Sequence, residues 1–242
     1  HERYFEPFLR NFPGKKLIVS ESTSALMTRG YYEMPSDHIY IRPESWDKPF
    51  EAPEHVCSSY DNCHVPWGST HEKTWHLVKT LPHVSGLFVW TGFDYLGEPT
   101  PYWWPSRSSF FGIVDLAGFP KDVYYMYKSE WTDEPVLHIF PHWNWKEGEP
   151  VDIWAYYNNA DEVELYLNGK SLGVRQKTDS TYHVSWRVPF TPGTLRAVSR
   201  LGGKEVLVKE IHTAGEPARL VLTPDRSVIQ ADGSDLSFVT VD

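Results

Sequence analysis

Apolar positions at Phe5, Phe8, Leu9 and Phe12 recur at helical spacing, and Pro13-Gly14 stops the pattern. A short apolar run from Lys16 to Ser20 follows and reads as a buried strand. Glu21 stands at its carboxyl end, between Ser20 and Ser22. From Ser22 to Gly68 no period holds. That stretch carries Pro35, Pro43, Pro49, Pro53 and Pro66, and a loop of such length inside a compact domain is expected to be functional or a lid. Ser69 with Glu72 three residues on has the form of a capping box, and Trp75, Val78 and Leu81 then make the apolar stripe of a second helix. Gly86 to Trp90 is a second buried strand. A loop rich in Pro and Trp leads to a third helix, expected to open near Pro120 and to run through Val123, Tyr124 and Tyr127 to about Trp131.

The order of helix, strand and long loop, repeated, fits an α/β barrel or an open α/β sheet, in which chemistry sits at the carboxyl ends of strands. Two strands cannot close a barrel of eight. Helical spacing ends at Thr132-Asp133-Glu134-Pro135. Beyond it Val136 to Phe140, Val151 to Tyr157, Val163 to Leu167, His183 to Val188, Thr194 to Ser199 and Val206 to Ile211 read as short strands. Asn168-Gly169 and Gly202-Gly203 are hairpin signals. About seven strands over this span suggest an immunoglobulin-type β-sandwich. From Glu216 to Asp242 two more strand-like runs flank Asp232-Gly233; two or three strands bury no core alone, so they are expected to begin a further sandwich.

Composition narrows the function. Of 242 residues, 40% are hydrophobic and 23% charged, as in folded soluble proteins, and no apolar run reaches membrane-spanning length. A net charge of −9 argues against nucleic acid as a partner. Eleven Trp and 14 Tyr serve either bulky β cores or flat surfaces for sugar rings. Cys57 and Cys63 make no disulfide scaffold and leave the compartment open. With His55, His64 and His71 nearby, their C-x5-C-H spacing misses the zinc templates, so no metal site is expected. The chain opens at His1 without a signal-like segment, as if taken from a longer one.

The motifs SESTSALMTRG (20–30), YDNCHVPWGSTHEKTW (60–75), LFVWTGFDYLGEPTPYWWP (87–105), FFGIVDLAGFPKDVYYMYKSEW (110–131) and VELYLNGKSLG (163–173) together resemble the glycoside hydrolase family 2 β-galactosidases of the kind common in gut Bacteroidetes. The resemblance spans nearly the whole chain. It implies that 1–134 is the C-terminal portion of a TIM (β/α)8 barrel, its last two β/α units. It implies likewise that 135–215 is an immunoglobulin-like β-sandwich and that 216–242 is the truncated start of another. It implies a retaining, exo-acting hydrolase of terminal β-galactosides, with Glu21 as the nucleophile on the seventh barrel strand. Such a carboxylate must face an acid/base carboxyl about 5–5.5 Å away from a rigid element. The family's acid/base Glu follows an Asn on the fourth strand, and no Asn-Glu pair occurs in these residues. This stretch alone is therefore expected to be inactive.

Trp90, at the end of the eighth strand, resembles the platform Trp of the sugar pocket; a core Trp under the barrel mouth is the alternative. Asp94 and Glu98 are candidates to hydrogen-bond sugar hydroxyls, or else to serve turns and caps. Tyr95, Trp103 and Trp104 either wall the pocket or pack rigidly among prolines. Lys121 falls near a Lys that some relatives use for a uronic acid carboxylate, though a solvated helix-start residue is the plainer assignment. No cofactor is expected; Mg²⁺ and Na⁺ serve some galactosidases of the family through ligands largely outside this stretch. The implied partners are a carbohydrate substrate and the remainder of the parent polypeptide, with assembly into a homo-oligomer left open, and the implied location is periplasmic or secreted. Two alternatives stand beside the galactosidase: a β-glucuronidase or β-mannosidase of the same family, and a non-catalytic carbohydrate-binding module. A row of exposed Trp among Trp143, Trp145, Trp154 and Trp186 would favour the module, although strand alternation puts Trp154 and Trp186 in the core.

Overall fold

The computed structural model describes residues 2–45, 47 and 55–242, so Pro49 and Pro53 of the long 22–68 stretch lie outside the described residues. Helix α1 (Phe5–Asn11) ends before Pro13-Gly14 and leads into strand β1 (Leu17–Thr23). Two-residue strands β2 (Tyr40–Ile41) and β3 (Cys63–His64) follow, then α2 (His71–Thr80) and β4 (Val84–Trp90). β1 and β4 pair in parallel, from Leu17 opposite Val84 to Thr23 opposite Trp90. A parallel pair needs a crossover, and α2 supplies it. The helices and strands meet over Phe5, Val19, Val78 and Val84. Glu21 and Trp90 thus come to the same end of one small sheet, and the Ser22–Thr23 and Trp90–Thr91 peptides there are both cis.

Two helix starts differ from expectation. The cap of α2 is Thr70, whose hydroxyl accepts from Lys73 N at 3.3 Å, and not Ser69. Glu72 does not reach back to close a capping box, because its carboxylate is taken by His183 Nδ1 at 2.6 Å. The first helical N–H groups, those of His71 and Glu72, donate instead to the buried Asp61 carboxylate at 2.8 and 2.7 Å. Helix α3 (Asp122–Trp131) has Lys121 at its cap, so Pro120 precedes the cap and does not occupy the first turn.

Much of the described part of the stretch from Ser22 to Gly68 is packed into the protein. Ala25, Leu26, Met27, Cys57, Tyr60, Cys63 and Val65 are all 1% exposed or less. Their apolar side chains carried no period because they fill gaps between elements and line no single face of a helix or strand.

The remaining strands form two facing sheets: β5 (Leu137–Phe140), β6 (Pro150–Tyr157) and β9 (His183–Pro189) in one, and β8 (Lys170–Arg175), β7 (Glu162–Leu167), β10 (Thr194–Leu201) and β11 (Lys204–His212) in the other. Alternation drives the packing. Val163 and Leu165 of β7, Val184, Trp186 and Val188 of β9, and Leu195 and Ala197 of β10 point into one core with Val151, Ile153 and Ala155 of β6. Strand β8 was implied by the Asn168-Gly169 hairpin signal but given no range, since Lys-Ser-Leu-Gly-Val-Arg offers only Leu172 and Val174 as apolar positions. It exists because Asn168 and Gly169, with φ of 51° and 79°, fold it back on β7 with Leu167 opposite Lys170.

Strand β6 is buried on both faces. Its outward Trp154 and Tyr156 join Phe140 in a second core with Ala25, Met27, Tyr60, Val123, Met126 and Tyr127. Burying a side chain the size of Phe140 contributes about 1.5–3 kcal/mol, so this seam ties the sheets firmly to the β1–β4 region. Trp154 and Trp186 are core residues, as alternation predicts, but in two different cores. Strands β12 (Leu222–Pro224) and β13 (Val239–Val241) pair antiparallel, with every residue exposed.

Candidate active site

Glu21 lies on β1 two residues before its end, exposed, while the residues after it turn inward. The Ser22 hydroxyl donates to Glu2 at 3.1 Å, and Thr23 Oγ1 lies 3.1 Å from His71 Nδ1. The same imidazole nitrogen is 2.8 Å from the Tyr127 hydroxyl. Burial, with the Lys121 charge adding to it, pulls His71 down to about 3, so the ring is neutral and acts as a fixed hydrogen-bonding strut. Ser22 and Thr23 thus anchor the end of the strand to Glu2 and His71.

After β4 the chain runs as a hairpin that closes on itself. Asp94 N donates to Val114 O at 2.8 Å, Ser109 N to Tyr95 O at 2.8 Å and Gly97 N to Arg107 O at 2.7 Å. Gly112 sits where a Cβ would lie 2.1 Å from Asp94 N and 2.5 Å from Val114 O, so no other residue fits this crossing. The hairpin brings Tyr95 against Trp90, with ring centroids 5.9 Å apart and planes at 79°. The Tyr95 hydroxyl donates to Glu98. Burial first, then the Glu98 carboxylate, hold the Tyr95 phenol well above its ordinary range; the Trp90 indole opposes this by hydrogen bonding, and the Glu21 charge adds to it. Of the candidates named from sequence, Trp90 meets Tyr95 by ring contact, Glu98 by a hydrogen bond and Glu21 through its charge.

Asp94 is the exception. Its carboxylate lies 2.7 Å from Lys121 Nζ and accepts from Gly112 N at 2.8 Å, facing into the protein. Lys121 is not a solvated helix-start residue: it is 1% exposed, and its ammonium also donates to Met27 O at 2.7 Å. Nothing local in the sequence marks this pair, nor the Asp61 carboxylate that caps α2 from ten residues upstream; both are made by chain crossings. Trp103 and Trp104 stand exposed on the hairpin, whereas Trp143, Trp154 and Trp186 are buried and Trp145 partly so, which leaves no row of exposed Trp on the sheets. Among the described residues no three His, Cys, Asp or Glu side chains converge as a metal site would require.

Residues 148–207 match a domain of unknown function, DUF4982. Over 232 residues the chain is 63% identical to Beta-galactosidase BoGH2A of Bacteroides ovatus, covering 96% of this chain and 27% of that protein. The chain belongs to glycoside hydrolase family 2. A family 2 protein of known structure from Bacteroides cellulosilyticus aligns over 100% of this chain and 28% of its own, with a TM-score of 0.66 and 27% identity. A beta-glycosidase from Bacteroides vulgatus superposes with a TM-score of 0.83 over 98% of this chain and 32% of its own, at 32% identity. A putative beta-glucuronidase of Formosa agariphila is 36% identical over 85% of the chain, which covers 22% of that protein. The chain thus spans about a fifth to a third of the length of these relatives.

Proposed function

We propose that this chain is the C-terminal part of a retaining, exo-acting β-galactosidase, in which Glu21 is the nucleophile. The observation that carries it is the placement of Glu21 and Trp90 at the same end of two parallel strands, with Tyr95 and Glu98 beside them. A carboxylate on a strand end is held rigidly enough to attack an anomeric carbon from one face. The covalent glycosyl-enzyme is then hydrolysed by water, with the second carboxyl acting first as acid and then as base. That second carboxyl belongs to the remainder of the polypeptide, since these residues contain no Asn-Glu pair.

Residues 1–134 are read as the last two β/α units of a (β/α)8 barrel, 135–215 as an immunoglobulin-like sandwich and 216–242 as the start of another sandwich. Two facts support the barrel. Among the described residues β1 pairs with β4 alone, and Leu17 to Glu21, with Tyr4, Phe5 and Phe8, line a cleft of about 370 Å³ beside it. Ile18 and Phe88, on β1 and β4, are 62% and 67% exposed, as residues awaiting the rest of a barrel would be. Trp90 and Tyr95 serve as the aromatic wall of the sugar pocket, and Glu98 as the acceptor for a sugar hydroxyl. Asp94 supports the site from behind through Lys121. Galactoside is favoured over uronic acid as substrate by the identity to a protein named a β-galactosidase and by Lys121, which is committed to Asp94 and offers no free ammonium to a carboxylate.

A 2-fluoro galactoside inactivator with a good leaving group tests this on the complete enzyme. The fluorine slows both steps, the leaving group lets the first go ahead, and the adduct persists. Peptide mapping is expected to find the label on Glu21; a label on Asp94 or Glu98 would remove Glu21 from the chemistry.

A further inference from the structure

The hairpin between Tyr95 and Ser109 has a feature that catalysis at Glu21 does not use. Tyr102 is 1% exposed, buried with its hydroxyl donating to Val56 O, while the next two residues, Trp103 and Trp104, are 75% and 73% exposed. Tight turns fix them there: Tyr102 N donates to Pro99 O at 2.8 Å and Ser106 N to Trp103 O at 2.9 Å. The Arg107 guanidinium lies 4.4 Å from the Trp104 ring centroid, over one face, and Arg107 O is held by Gly97 N at 2.7 Å. The base of this hairpin is Tyr95, which touches Trp90 and senses the charge of Glu21. The two indoles are thus exposed on an anchored arm whose base adjoins Trp90.

We propose that Trp103 and Trp104 are a platform for the sugar on the leaving-group side of the scissile bond, and so determine preference for oligosaccharides over simple galactosides. The proposal rests on the galactosidase reading. An exo pocket closes around the terminal sugar and opens toward the leaving group, and the hairpin that carries the two exposed indoles starts at Tyr95, against Trp90. An indole face takes the C–H face of a pyranose, and Arg107 beside Trp104 presents N–H donors to the ring's hydroxyls. Continuity with the candidate site and this pairing of a flat ring with donors select a sugar over a protein surface as occupant.

The test uses the complete enzyme with Trp103→Ala, Trp104→Ala and the matching Phe variants. Two substrates are compared: β-galactosyl fluoride, which has no ring on the leaving side, and an oligosaccharide ending in a β-galactosyl residue. Each Ala variant is expected to lose roughly tenfold or more in kcat/KM on the oligosaccharide, the range set by truncating an aromatic anchor. On the fluoride the change is expected to stay within about twofold, and Phe is expected to recover part of the loss. Equal losses on both substrates, no loss on the oligosaccharide, or Ala variants that fail to fold would each overturn the platform, the last because a ring packed on protein, and not one awaiting a sugar, is needed for folding. A wild-type enzyme that turns over neither substrate overturns the galactosidase reading itself, and the platform with it.

Discussion

The ammonium of Lys121 lies 2.7 Å from the Asp94 carboxylate and reaches the carbonyl oxygens of Met27 at 2.7 Å and Phe110 at 3.4 Å. One nitrogen thus joins the segment after β1, the segment after β4 and the return arm of the hairpin. Burial pulls Lys121 below the ordinary lysine range and pushes Asp94 above the ordinary carboxylate range, each against the attraction of its partner. Removing one partner leaves the other buried and uncompensated. Lys121→Met is expected to destabilise the protein by about 3–5 kcal/mol, and Lys121→Met with Asp94→Leu by much less. Denaturant midpoints of the two variants check this; equal losses would mean that the pair holds nothing together.

A second expectation concerns pH. Burial pushes Asp61 up to about 7, with the nearby Glu72 charge adding to it, while burial pulls His71 down to about 3. Asp61 keeps its proton in the fold where the unfolded chain, with a carboxyl near the usual value of about 4, has lost it. Its contribution is fully present below about pH 4 and is lost as pH rises through about 7. His71 has the opposite sign: its contribution is present above about pH 6.5 and is lost as pH falls through about 3. Between roughly pH 4 and 6.5 the two slopes oppose each other. Asp61→Asn removes one of them, so the variant's melting temperature is expected to fall more steeply toward acid than the wild type's. Parallel curves for wild type and variant over pH 4–7 would contradict the assignment.

Glu21→Ala in the complete enzyme is expected to lower kcat by several orders of magnitude, because nucleophile and acid/base act as a unit. Added azide is expected to recover part of the turnover and yield the α-galactosyl azide, since a small anion fits the vacated space and attacks from the same face. Identification of that product separates loss of a nucleophile from loss of fold. The 242-residue chain alone is expected to leave an aryl β-galactoside intact. Turnover by it that Glu21→Gln abolishes would show that these residues hold a complete catalytic pair.

Residues 132–216, excised, are expected to melt cooperatively, because the core between the two sheets is drawn from those residues alone except for Met34 at its margin. The excised piece exposes Phe140, Trp154 and Tyr156, which are covered in the intact chain by Tyr60, Met126 and their neighbours. It is expected to melt below the intact chain and to self-associate through that face. Calorimetry with sedimentation checks both; a monomer as stable as the intact chain would mean that the seam contributes nothing.

The sequence by itself determined what depends on spacing along the chain. The helical stripe of Trp75 and Val78, the alternation in Val163-Glu164-Leu165 and the turns at Asn168-Gly169 and Gly202-Gly203 each act within a few residues, and each element appeared where its pattern lay. The place of Glu21 on β1 was legible for the same reason, since a short apolar run ending in a carboxylate is a local pattern. Tertiary structure alone decided the partners. Asp94 and Glu98 are four residues apart on one loop and equally polar, yet one turns inward to Lys121 and the other joins Tyr95 beside Trp90. Lys121 looked solvated because a charged residue at a helix start usually is; it is buried because Asp94, 27 positions earlier in the chain, lies opposite it. The described part of the 22–68 stretch showed no period because its buried side chains fill gaps between distant elements, and gap-filling leaves no period to read.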